Sequence, residues 1–379
     1  MYDGSADHCS EMSAGTHLRR RAGIAALALA WLLSPAALLA AQPDGRAQAD
    51  YPAEDWSRIA APESAGYSSQ RLEELRAYVK TLDTTGLMIV ARGRVLFEHG
   101  NLSELSYLAS VRKSILAMLY GKYVGSGRIN LKRTIDDIGF TDIGGLLDME
   151  RRATIEHLLS ARSGVFHPAS NGGDDTDKAP PRGSRNPGTY FLYNNWDFNA
   201  AGAVFEKLTG IDIYNALEGD LAWPLQMQDF ECSRQAKGGD LKVSHFPAYH
   251  MWLSTRDMAR LGYLMLREGN WNGRQVIPRS WARRIVRPVT RVGQMNPESH
   301  RTEEFGYGFM WWVWDGPRAT GPFAGAYAAR GAYGQYIVVL PKLDLVVAHK
   351  TAVPPIRQVS WNQFRGILDR LLAARQPRR

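Results

Sequence analysis

A serine stands three residues before a lysine in Ser110-Val-Arg-Lys113, and apolar residues follow at Ile115, Leu116, Met118 and Leu119. That spacing predicts a helix from near Ser110 to Tyr123, with positions i and i+3 on one face. Lys113 can then bring its amine to the Ser110 hydroxyl. Free N–H groups and the positive dipole end at a helix N-terminus favour an anion there, such as the one formed when a serine attacks a carbonyl. A lysine acts as the base only when neutral, which requires burial or a nearby cation. Twenty-three serines and ten lysines in 379 residues give about 0.6 such spacings by chance, so the pair needs company to carry weight.

Two further segments supply it. Tyr193-Asn194-Asn195 follows a long polar stretch and opens a helix expected over 197–208. A phenol beside a lysine can pass a proton from nucleophile to leaving group, and an amide two residues on can hold a carbonyl. Arg330-Gly331-Ala332-Tyr333-Gly334-Gln335 precedes an apolar strand-like run. Small residues there let a substrate lie along a sheet edge, and an arginine beside it could take a carboxylate. His245, His250 and His349 show no Asp/His/Ser arrangement and read as core or surface residues, as do Trp311, Trp312, Trp314 and Cys232. His167 falls in the polar stretch, where it could line a cleft.

These groups need a scaffold. Helical spacing marks 69–84, 155–161 and 254–267, the last with a capping box of Ser254 and Asp257 and with Gly269 as its stop. A final helix is expected over 359–374. Strand-like runs at 86–92 and 94–98 flank Gly93 as a hairpin, and others cover 308–314, 336–340 and 343–349, with Pro341-Lys342 turning between the last two. Phe166 to Gly188 reads as a long surface loop, of the kind that often serves as a lid. The order is helix, strands, a helical middle, strands, helix. It predicts an α+β fold in which both chain ends build one antiparallel sheet, with a mostly helical region of about 125–300 inserted between them.

The ordered set, joined by Leu158-Leu-Ser-Ala-Arg-Ser-Gly164, Trp223-Pro-Leu-Gln-Met227 and Leu253-Ser-Thr-Arg-Asp-Met-Ala259, resembles the serine β-lactamase and penicillin-binding protein superfamily. It is most similar to the branch of class C β-lactamases, family VIII-type esterases and 6-aminohexanoate-dimer hydrolases. The last group is suggested by Tyr193-Asn-Asn-Trp-Asp-Phe-Asn199 and the run from Arg330 to Pro341. The resemblance implies a β-lactamase/transpeptidase-like fold and an acyl-serine intermediate. It makes Ser110 the nucleophile, Lys113 its base partner and Tyr193 the proton relay, with Asn195 orienting lysine and substrate. The Ser110 and Ala332 amides would form the oxyanion hole. The third family motif, Lys-Thr-Gly or His-x-Gly, is here Ala329-Arg330-Gly331, so its cation moves by one position. Alternate strand residues face opposite sides. That departure favours an esterase or small-amide hydrolase over a D,D-peptidase or β-lactamase. A non-catalytic binder of cell-wall peptides on the same scaffold is the alternative outside enzymes.

Composition bounds the rest. The chain is 45% hydrophobic and 22% charged, which fits a globular protein. A net charge of +8 is modest for this length and predicts no nucleic-acid partner. There is no C-x-x-C, H-E-x-x-H, phosphate loop or G-x-S-x-G, so neither a metal nor an organic cofactor is expected. The expected partner is a small ester or amide. Residues 1–49 read as a leader: Arg19-Arg20-Arg21, an apolar run from Ala22 to Ala41 broken by Pro35, and an Ala47-Gln48-Ala49 cleavage pattern. Residues 50–379 then form one hydrolase domain in the periplasm or outside the cell, held at a membrane only if the leader is uncleaved.

Overall fold

The computed structural model describes residues 50–302, 304–353 and 357–376; the leader expected over 1–49 lies outside them. Among the described residues no helix is long and apolar enough to cross a membrane. Seven antiparallel strands form the main sheet: β1 (Gly86–Ala91), β2 (Arg94–Gly100), β3 (Phe305–Tyr307), β4 (Trp312–Trp314), β5 (Tyr327–Gly331), β6 (Gln335–Leu340) and β7 (Leu345–Lys350). Their spatial order is β2-β1-β7-β6-β5-β4-β3, so β1 from the early chain pairs with β7 from its end. The open sheet is therefore assembled from both chain ends, as the element order predicts.

The β1–β2 turn is made by Arg92 and Gly93, both at positive φ (52° and 86°), the backbone that a tight hairpin requires. The expected strand over 308–314 is interrupted. Gly308 to Trp311 forms a turn in which the Gly308 amide donates to the Trp311 carbonyl at 2.9 Å, and Met310 takes a φ of 58°. A Cβ at Gly308 would lie 2.3 Å from the Ile285 carbonyl, so close packing rather than propensity breaks the strand.

Helices cover both sheet faces. Neighbouring residues of β6 point to opposite sides. Tyr336 meets Phe364 of α6 (Trp361–Ala373), with ring centroids 4.6 Å apart. Ile337 faces Gly262 of α4 (Thr255–Leu266), where a Cβ would come within 2.8 Å of it. Only half of the expected capping box forms on α4. Ser254 accepts from the Asp257 amide at 3.1 Å, but the Asp257 carboxylate turns to the Gln228 and Asp229 amides at 3.0 and 3.1 Å. The helix α1 (Ser69–Val79) packs on α6 and ends earlier than its periodicity suggests.

The inserted helical region surrounds α2 (Val111–Gly125), a helix buried on nearly every side. Such a helix draws its stability from tertiary packing rather than from propensity. Gly121 lets α5 (Arg279–Ile285) approach: a Cβ there would sit 2.5 Å from the Trp281 ring, whose indole N–H donates to the Ala117 carbonyl at 2.8 Å. On another side lies α3 (Asn195–Thr209), begun by Asn194, whose side chain accepts from the Trp196 amide. The N-termini of α2 and α3 converge beside the end of β5.

Candidate active site

Ser110 caps α2 and follows Ala109, whose φ of 47° is unusual for a residue with a side chain. Tertiary packing holds that backbone. The Leu108 amide donates to the Met251 carbonyl at 2.9 Å. A Cβ on Gly331 would fall 2.6 Å from the Leu108 carbonyl and 3.1 Å from the Ser110 amide nitrogen. Only glycine lets β5 run this close to the start of α2. Neither the Ser110 nor the Ala332 amide has a hydrogen-bond partner among the described residues. Ala332 is exposed at the strand end, and Tyr333 after it takes a φ of 66°.

The Lys113 amine lies 3.1 Å from Ser110 Oγ and 2.7 Å from Tyr193 Oη. It is almost completely buried, between the Tyr193 and Phe198 rings at 4.2 and 4.5 Å from their centroids. Burial lowers its pKa well below the ordinary lysine value; the Arg112 cation adds to this, while Asp174 and Asp175 oppose it. The Tyr193 phenol is pushed up to about 12 by burial, against a lowering by its contact with Ser110. The site at neutral pH thus pairs a lysine biased towards the free amine with an intact phenol. Tyr193 is fixed by ring contacts: Phe198 at 5.0 Å and a stacked Trp312 at 5.5 Å.

The expected residues do not all converge. Asn195 is buried beside Tyr193, but its Nδ2 donates to the Gly172 carbonyl at 2.8 Å and its Oδ1 has no partner. Instead of touching Lys113, it ties down the loop over 166–188. The same loop is held by the Asp175 amide donating to the Tyr193 carbonyl at 2.9 Å, and by Asp174 accepting from the Asn195 amide at 2.7 Å. Arg330 lies on the α6 side of the sheet, its guanidinium 4.7 Å from each of the Phe305, Trp312 and Trp361 ring centroids. It contacts the same Trp312 ring on which Tyr193 stacks. Strand alternation could signal this; the aromatic cage could not be read in advance.

Three residues escaped sequence reasoning. Asp142 is buried and accepts from Trp196 Nε1, Ser244 Oγ and the His245 amide at 2.6, 2.5 and 2.6 Å, locking the start of α3 to two loops. Asp197 accepts from Ser163 Oγ at 2.5 Å, and burial raises its pKa well above the carboxylate range. Arg112, next to the lysine, is buried on α2. The histidines serve elsewhere. His167 contacts the Pro168 and Ile143 carbonyls at the foot of the loop, at 2.8 and 2.7 Å. His250 pairs with Tyr107 Oη at 3.0 Å, and His349 joins Thr84 to the Gly334 carbonyl. Among the described residues these histidines build no serine–histidine site.

The beta-lactamase family model matches residues 75–353. The chain belongs to the beta-lactamase family. An uncharacterized protein of Alkalihalophilus pseudofirmus is 32% identical over 254 residues, which cover 63% of this chain and 71% of that protein. Among solved structures, a protein assigned as a 6-aminohexanoate-dimer hydrolase from Bacillus anthracis superposes with a TM-score of 0.60 at 18% identity, covering 84% of this chain and 86% of its own. EstCE1, a hydrolase with promiscuous acyltransferase activity, gives 0.58 at 17% over 83% and 100%. A penicillin-binding protein homologue from Caulobacter crescentus gives 0.59 at 14% over 82% and 99%. The fold is thus shared with proteins described as a 6-aminohexanoate-dimer hydrolase, a hydrolase with promiscuous acyltransferase activity and a penicillin-binding protein homologue, and the family is one of serine hydrolases.

Proposed function

We propose that the protein hydrolyses a small ester or amide through an acyl-serine intermediate. Ser110 Oγ attacks the carbonyl, and its proton passes to the neutral Lys113 amine. The resulting oxyanion is received by the Ser110 and Ala332 amides. Tyr193 passes the proton on to the leaving group, and water then releases the acyl group by the reverse path. The observation that carries this reading is the buried Lys113 amine within hydrogen-bond reach of both hydroxyls, at 3.1 and 2.7 Å. The two unpartnered amides support the oxyanion role, since preorganised donors are worth about 10² to 10³ in rate each.

The position of Arg330 favours an esterase or small-amide hydrolase over a β-lactamase or D,D-peptidase. Its guanidinium lies against the Phe305, Trp312 and Trp361 rings, a setting that favours a structural contact over capture of a substrate carboxylate. Asn195 enters this reading as the residue that fixes the loop over the site. No metal or organic cofactor is required, because hydroxyl, amine and phenol suffice. The leader-like pattern over residues 1–49 supports a location in the periplasm or outside the cell.

The test is exposure of the protein to a fluorophosphonate, with intact mass and peptide fragmentation to map the adduct. An adduct on Ser110, together with nitrophenyl-ester hydrolysis lost in Ser110→Ala, supports the reading. Turnover retained in folded Ser110→Ala overturns it.

A further inference from the structure

The residue between the nucleophile and the base partner is a buried arginine. Arg112 is 2% exposed. Its Nη2 donates to Asn199 Oδ1 at 3.1 Å, and its guanidinium carbon lies 4.3 Å above the Tyr249 ring centroid. Its Nη1 has no hydrogen-bond partner, and among the described residues no carboxylate lies within salt-bridge distance of it. The neighbouring Tyr249 and Tyr214 hydroxyls are also buried without partners, and burial raises both phenols, so neither supplies an anion. Burying a charge without a counter-ion is costly, and a core position would ordinarily be filled by an apolar or neutral side chain.

The charge makes sense against the loop. Asp174 and Asp175 are pinned to Asn195 and Tyr193 by backbone hydrogen bonds, so the loop carries two carboxylates to the surroundings of the Lys113 amine. Asp175 lies 3.1 Å from His300 Nε2 and 3.6 Å from Lys178 Nζ; among the described residues Asp174 accepts from the Asn195 and Thr176 amides and the Thr176 hydroxyl. Carboxylates favour the protonated lysine, whereas a base must be neutral. Other groups around the amine are Ser110 on its own helix, Tyr193 with Asp197 behind it on α3, Tyr249 on the short strand Ala248–His250, and Tyr307 and Arg330 of the sheet, which reach Tyr193. Arg112 is tied to Asn199 on α3, directly after Phe198, whose ring centroid lies 4.5 Å from the Lys113 amine, so its charge is anchored beside the base.

We infer that Arg112 is a positioning residue for the proposed reaction, a fixed buried cation that offsets the loop carboxylates and keeps the Lys113 amine in its proton-accepting form. The same guanidinium also reaches the loop through Asn199, whose Nδ2 donates to Asn171 Oδ1 at 2.8 Å. The inference rests on the acyl-serine reading above.

The test is the rate of fluorophosphonate labelling of Ser110 in the full chain as a function of pH, which needs no natural substrate. Arg112→Gln should move the acid limb upward by about one pH unit, giving about a tenfold loss of rate below the limb and recovery above it. Asp174→Asn should move the limb downward, and should return it towards wild type in the Arg112→Gln background. Should Arg112→Gln not fold, Arg112→Met, which keeps most of the volume without the charge, should show the same upward shift, and an unmoved limb there would overturn the inference. An Arg112→Gln limb at the wild-type position with a uniformly lower rate would reduce Arg112 to a packing role and overturn the inference. Absence of Ser110 labelling in the folded wild type would instead overturn the acyl-serine reading.

Discussion

Removing one oxygen from Tyr193 separates structural from chemical contributions. In Tyr193→Phe the ring keeps its contacts with Phe198 at 5.0 Å and Trp312 at 5.5 Å. What is lost is the hydroxyl 2.7 Å from the Lys113 amine, which then retains only Ser110 Oγ at 3.1 Å. Leaving a buried polar group short of a partner costs about 1–3 kcal/mol. A domain with about 5–15 kcal/mol of stability remains folded after that loss. A proton relay contributes about 10² to 10⁴ in rate, or about 3–5 kcal/mol of barrier. Activity should therefore fall far more than the folded population does. The leaving group adds a second handle, because nitrophenolate departs without a proton whereas an amine must gain one. Steady-state kcat/KM on a nitrophenyl ester and on a matched alkyl amide, beside a thermal melt, provides the measurement. The expected result is a lowered Tm with a rate loss about tenfold or more greater on the amide. A lowered Tm with unchanged rates on both substrates would refute the relay role.

Other perturbations probe the scaffold. Gly331→Ala places a Cβ 2.6 Å from the Leu108 carbonyl, forcing β5 away from Ser110; kcat should drop about 10²-fold while circular dichroism stays native. Asn195→Ala removes the 2.8 Å bond to Gly172 and should speed hydrogen exchange in residues 166–188; a raised KM with unchanged exchange would instead put Asn195 in contact with substrate. His349 is fully buried, and burial lowers it from 6.5 to about 4. Between those values the unfolded chain binds a proton that the native state refuses, so stability falls as pH drops, by about 3 kcal/mol in all. His349→Asn, which can still donate to the Gly334 carbonyl, should flatten the dependence of Tm on pH between 6.5 and 4.

The residues that could be read ahead of the fold are those whose geometry is local. Ser110 and Lys113 share a helix face because three residues span nearly one turn. The α4 cap at Ser254 and the Arg92-Gly93 hairpin likewise follow from a few adjacent residues. Where the periodicity misled, a distant backbone was responsible. The run over 308–314 has strand-forming residues, yet the Ile285 carbonyl occupies the space that continued pairing would need at Gly308. Asp257 completes its capping spacing in sequence, but its carboxylate serves the Gln228 and Asp229 amides instead.

The same division runs through the site. Residue types, spacing and order were enough to nominate hydroxyl, amine and phenol, and the order of elements was enough for a sheet assembled from both chain ends. Both are properties of short segments and of their succession along the chain. Tertiary structure decided what those groups meet. It brought Tyr193 to a lysine 80 residues away, turned Asn195 to the loop, and set Arg330 among the Phe305, Trp312 and Trp361 rings. It also buried Arg112 without a carboxylate beside the base. Burial and opposing charges, summed over segments far apart in sequence, set the protonation of the amine, and no local pattern encodes that sum.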